Sequence, residues 1–295
     1  MKGEYSIVVT DSGLGGLSVM AELEKNLRDN PVAENIRLTF FNSVINKKYG
    51  YNNMGSEEEK AGVFNSALES MARLYKPDII FIACNTLSIV YPQTKFAVET
   101  EINVLSIVDF GVDLVYKSLA AETGSAAILL GTPTTINSGV HKKRLLQRGI
   151  STERIVEQPC FMLESEIQDD PHSEATRNLI KKFLTEAGEK LNAGYDKIYA
   201  AFYCTHYGYS SALFEEEMKK IFSCPVGILN PNSSMSTYFN KDTSSKQDNT
   251  QIKCEVVSRV PIMNEEIKTL GELIKIISPS VFESFSNFHH KPDLF

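Results

Sequence analysis

The strongest constraint on how this chain can fold is an alternation. Short β-branched runs recur at residues 6–10, 38–41, 79–83, 104–107, 126–130, 197–202 and 226–229, and longer segments with helical spacing lie between them. Residues 57–75 bring Ala61, Phe64, Leu68, Met71 and Tyr75 near one face, and residues 177–191 do the same with Ile180, Phe183, Leu184, Ala187 and Leu191. A strand, a helix and a further strand in the same sheet return parallel through a right-handed crossover, so the pattern predicts an α/β fold with doubly wound, mainly parallel sheets. At 295 residues the chain has room for two domains, each with its own core.

Charge and cysteine usage narrow the function classes. The net charge of -7, with no basic run of five, argues against nucleic acid and favours a small-molecule partner. The longest uncharged stretches, such as 79–92, are too short and too polar to span a membrane, and the first residues lack a signal peptide's apolar length, so a cytoplasmic location is expected. Five cysteines, Cys84, Cys160, Cys204, Cys224 and Cys254, are widely spaced without a CxxC pair, which supports neither a disulfide framework nor a zinc site. No metal and no cofactor is expected.

In doubly wound sheets ligands collect at the carboxyl ends of the strands. Four strand-to-helix junctions in this chain end in small polar residues: TDSGLGG, ACNTLS, GTPTT and CTHYG. The first has neither GxGxxG nor GK[ST], and its Asp11 would repel a phosphate, so a nucleotide site is not expected there. Its glycines would let the backbone approach a small ligand, with Ser12 as a donor and Asp11 as a carboxylate partner; both residues would equally serve as helix caps.

Cys84 and Cys204 each end a strand before a helix, where the helix dipole and free N–H groups lower a thiol's pKa. A single buried cysteine is more often inert packing, but two in matching surroundings, each after a helix, an Asp (Asp78, Asp196) and an apolar strand, point to chemistry and to a weak internal duplication. Cys160, Cys224 and Cys254 are assigned to packing. His206, two residues beyond Cys204, shares its face only if the chain is extended there, and the pair would also suit a hydrolase nucleophile or a decarboxylase using one thiol.

Taken in order and spacing, DSGLGGLSV, ACNTLS, GTPTTINS and CTHYG resemble the motifs of the cofactor-independent aspartate/glutamate racemase family, glutamate racemases in particular, over about residues 11–209. The resemblance implies two similar α/β domains facing each other across a cleft, here residues 1–103 with 210–295 and residues 104–209. It implies Cys84 and Cys204 as paired acid/base thiols, assisted by Asp11 and His206. Ser12, Tyr49, Gly50, Asn85, Thr86, Thr132, Thr135 and Thr205 fall on its substrate-binding positions, and Glu166 aligns loosely near the second thiol. The implied reaction inverts L- and D-glutamate, supplying D-glutamate for peptidoglycan, and the size admits a homodimer. Removing an α-proton from one face and returning one to the other requires two bases of similar kind, which explains the paired thiols.

The chain departs from the family pattern at Ser43, Asn46 and Lys48, which stand where Asp, Arg and Pro are usual, and at Tyr203 and Gly208, which replace Gly and Pro. These changes touch the pocket walls rather than the thiols. They leave open a different amino acid as substrate, or a protein that binds one without turnover. A polar loop is expected at 240–251, followed by a last strand and helix over 255–276.

Overall fold

The computed structural model describes residues 4–46, 50–192, 194–241 and 250–295. Strands β1 (Glu4–Asp11), β2 (Asn35–Asn42), β3 (Ile79–Ile82) and β4 (Asn103–Ser106) come first, then β5 (Ser125–Gly131), β6 (Ile155–Pro159), β7 (Lys197–Tyr203) and β8 (Val226–Leu229), then β9 (Gln251–Ser258) and β10 (His289–His290). The chain divides into two compact units, Met1–Ile107 with Met235–Phe295, and Val108–Ser234.

Among the described residues the first unit holds a six-stranded sheet ordered β10-β9-β2-β1-β3-β4, and the second a four-stranded sheet ordered β6-β5-β7-β8. Every pairing is parallel. Parallel strands are covered on both faces, which explains why the runs are continuously apolar rather than alternating: Ile7, Val8 and Val9, Ile79 to Ala83, and Ala126 to Leu130 are all fully buried. The first four strands of each unit share one order, second-first-third-fourth. That repeat gives the sequence duplication a structural counterpart: Cys84 follows the third strand of one unit and Cys204 the third strand of the other.

Local chemistry sets the helices. Ser56 caps Glu57–Tyr75 by accepting from the Glu59 amide; three glutamates follow in its first turn, Arg73 sits in its last, and Lys76 closes it at φ 43°. The helix expected over 177–191 runs as Glu174–Gly188, capped by Ser173. No described helix is long and apolar enough to cross a membrane.

The units differ from the expected boundaries in two segments, and the first of these, 104–107, stays with the first unit, where β4 pairs with β3. The family resemblance implies a return to the first unit at 210, whereas residues 210–234 stay with the second because β8 pairs with β7 from Ile198↔Val226 to Ala201↔Leu229. Strand β6 has no counterpart among the expected runs: it is five residues at the sheet edge, ends in proline and follows a 3-10 turn, so its signal is faint. Most of the expected polar loop, 242–249, lies outside the described residues, and β9 begins at Gln251 rather than 255.

Candidate active site

In the first unit β1 and β3 are neighbours, and the strand order reverses between them. A ligand crevice of a doubly wound sheet forms at such a switch point. The register Thr10↔Ile82 and the Ala83 N–H donating to the Thr10 carbonyl at 2.9 Å bring the end of β1 alongside Cys84. Cys84 has extended backbone (φ -82°, ψ 126°) and opens the short helix Asn85–Val90. Ser12 Oγ lies 3.1 Å from Cys84 Sγ. The Asp11 carboxylate accepts from the Ser12 amide at 2.6 Å and the Gly16 amide at 2.5 Å, wrapping the DSGLGG loop around itself. Gly16 is needed for this: a Cβ there would meet Asp11 Cβ at 2.9 Å. Asn85 and Thr86 are buried beside the thiol.

This setting reverses the expectation of a lowered Cys84 pKa. Burial first, and then the Asp11 negative charge, push the thiol up to about 12, against smaller opposing help from the Ser12 hydroxyl and the Leu87 and Ser12 amides. The helix N-terminus therefore acts in the expected direction, through Leu87 N–H, but so short a helix does not offset complete desolvation.

In the second unit β5 and β7 flank the equivalent reversal. Cys204 is extended (φ -143°, ψ 130°) and opens the 3-10 turn Thr205–Ser210, which carries His206 close to the thiol. The Sγ–Nδ1 separation is 3.7 Å, and His206 Nε2 sits 3.0 Å from Gln168 Oε1. With the Gln168 amide oxygen accepting from Nε2–H, Nδ1 presents its lone pair to the thiol. Sequence reasoning misses Gln168 and points instead to Glu166, because the helix Leu163–Asp169 is remote in sequence and only the fold brings it to His206. The expected helix after Cys204 is a 3-10 turn, Thr205–Ser210, leading into Ser211–Ile221. Thr205 is buried, and its carbonyl accepts from Asn232 Nδ2 at 3.0 Å. Thr132 caps Pro133–Asn137 and bonds to Thr135, 3.1 Å between hydroxyl oxygens, at the end of β5 beside β7.

The departures from the family pattern come with compensation. Tyr203 is fully buried, stacked on His141 with ring centroids 3.7 Å apart, and it fits because residue 111 is glycine: a Cβ there would meet the Tyr203 ring at 2.7 Å. Burial pushes His141 down to about 3, so the stack holds a neutral imidazole. Gly208 leaves room for Asn230, whose Nδ2 would lie 2.9 Å from an added Cβ. Ser43 is fully buried, 2.7 Å from Thr10 Oγ1, and donates its N–H to the Asp11 carbonyl. Gly50 is extended at φ -85° and precedes a 3-10 turn; Tyr49 and Lys48 lie outside the described residues. Cys160 directly follows β6 and is fully buried with its sulfur 3.5 Å from the Gln158 carbonyl, consistent with a packing role.

Comparison with known proteins concerns the chain as a whole. No family model matches the chain. The glutamate racemase of Persephonella marina is 25% identical over 276 residues, covering 90% of this chain and 92% of that protein. The glutamate racemase of Syntrophus aciditrophicus is 27% identical over 218 residues, 72% of each. The chain resembles glutamate racemases along most of its length. Solved structures carry the likeness into the fold: Bacillus anthracis glutamate racemase RacE1 has a TM-score of 0.70 at 16% identity, covering 93% of this chain and 94% of that one. The Francisella tularensis glutamate racemase, solved with D-glutamate, has a TM-score of 0.66 at 19% identity, covering 92% and 93%.

Proposed function

We propose that this protein is a cofactor-independent racemase that interconverts L- and D-glutamate, with Cys84 and Cys204 as its two acid/base groups. The observation that carries the reading is the repeated placement of a thiol after the third strand of each sheet, each with its own hydrogen-bonding neighbour, Ser12 or His206. Resemblance to glutamate racemases in sequence supports glutamate as the substrate.

In one direction the Cys204 thiolate, its proton held by His206, takes the α-proton, and the Cys84 thiol delivers its own proton to the opposite face. The α-carbon is inverted, Cys204 ends as thiol and Cys84 as thiolate. The reverse direction exchanges the roles; to reset, His206 releases the proton it holds to solvent and takes the one on Cys204, while the Cys84 thiolate, hydrogen-bonded by Ser12, takes one proton from solvent. The carbanion-like transition state places negative charge on the substrate carboxylate, where donors from Asn85, Thr86 and Thr205 stabilise it. Thr132, Thr135, Tyr49 and Gly50 complete the substrate contacts. D-glutamate made in the cytoplasm would feed peptidoglycan synthesis, and a homodimer is compatible with a chain of this size.

The test is proton NMR of L-glutamate in heavy water with chiral analysis of the product. Loss of the α-proton signal with appearance of D-glutamate is expected, and Cys84→Ala and Cys204→Ala should each lower racemisation, read as D-glutamate formed, by at least about a thousandfold. Full activity in either variant defeats the two-thiol mechanism. A second reading, amino-acid binding without turnover, draws on the high pKa of the Cys84 thiol. It predicts thermal stabilisation by glutamate with no exchange.

A further inference from the structure

Tyr51 begins the 3-10 turn Tyr51–Asn53 immediately after Gly50 and is 2% exposed. Its ring belongs to the same buried cluster as Phe41, Leu87 and Cys84. Its hydroxyl is buried and has no hydrogen-bond partner among the described residues. A phenylalanine would fill this place without the cost of an unmet polar group, and a partner that arrives later would satisfy the hydroxyl. Burial and the neighbouring Cys84 raise the phenol's pKa, so it remains a neutral donor. A neutral donor in a dry site bonds most strongly to an anion. Beside Cys84 the anion in question is a carboxylate of an acidic amino acid. Asn85 and Thr86, at the start of the helix that follows Cys84, serve the α-carboxylate in the mechanism above, so the side-chain carboxylate draws on other donors, and Tyr51 directly follows Gly50, one of the substrate contacts proposed in this unit.

We propose that the Tyr51 hydroxyl is a specificity determinant that donates a hydrogen bond to the side-chain carboxylate of the amino acid held beside Cys84. The proposal rests on the racemase reading, and Tyr51→Phe tests it because the ring and its packing are kept. The unliganded variant should melt no lower than the parent, since the lost group is unpaired there. The KM for glutamate should rise about 10- to 100-fold while kcat stays within a few-fold, as expected when a bond made equally in the ground and transition states is removed. An unchanged KM, or a fall in kcat at constant KM, overturns the proposal.

Glutamate-induced thermal stabilisation separates its failure from that of the racemase reading. A parent protein that shows no exchange but is stabilised by glutamate defeats turnover, and loss of that stabilisation in Tyr51→Phe still upholds the donor role. Equal stabilisation of parent and variant overturns it, as does a parent that neither exchanges nor is stabilised.

Discussion

The two thiol sites occupy equivalent strand ends yet are chemically unlike. Cys84 meets a hydroxyl at 3.1 Å and a carboxylate whose charge raises its pKa; Cys204 meets an imidazole at 3.7 Å whose far nitrogen is held by Gln168. The first environment favours the protonated thiol, and the second offers a base that can take the proton. The proposed mechanism needs one thiol and one thiolate at the start of each turnover, and these unlike surroundings fit that need, with Cys84 held as thiol and an imidazole beside Cys204 to accept its proton. The strand order repeats between the units, but the side chains around the two thiols do not.

The largest expected effect on that comparison comes from His206→Ala. It should lower kcat about a hundredfold and slow alkylation of Cys204 near neutral pH while leaving Cys84 unaffected. Alkylation of Cys204 at the parent's rate would break the proposed asymmetry. Next in size, Asp11→Asn removes the negative charge beside Cys84 while its amide oxygen can still accept from a loop N–H. Cys84 alkylation at pH 9 should accelerate about tenfold, the equivalent of one pKa unit, and no acceleration would mean that burial alone protects the thiol.

The smallest effect is on stability. Folding raises the Cys84 pKa from 9.0 to about 12, so the unfolded chain releases this proton first. The stability gained from keeping the thiol neutral is complete below pH 9 and drains away between pH 9 and 12. Cys84→Ser should remove that loss, so its stability relative to the parent should improve by about 1 kcal/mol between pH 8 and 10 in chemical denaturation. A constant difference across that range would refute the shift.

Much of this was legible in the residues because buried parallel strands must be apolar throughout and because strand ends of doubly wound sheets concentrate polar chemistry. Runs such as IIFI and AAILL announced β3 and β5, and the four polar junctions named the side chains that gather at the strand ends. What stayed hidden depended on contacts distant in sequence. Gln168 reaches His206 across 38 residues, Gly111 makes room for Tyr203 across 92, and no local periodicity encodes either. The proton affinity of Cys84 runs against the sequence expectation for a related reason: a helix start is visible in sequence, but the completeness of burial is not.

The division of the chain has a consequence for the order in which the protein can acquire its structure. Val108–Ser234 is a single uninterrupted segment, so every strand of its sheet has been synthesised before Met235. The other unit is split around it, and β2, from Asn35 to Asn42, acquires its neighbour β9 only when residues 251–258 emerge. On the ribosome, an eight-residue strand with Leu38, Phe40 and Phe41 would wait with one edge unpaired while more than two hundred residues are added. Such an edge is open to pairing with other chains, so nascent-chain aggregation should begin at β2, increase when the exposed charge of Arg37 is removed and be relieved by a charged substitution at the exposed Asn35.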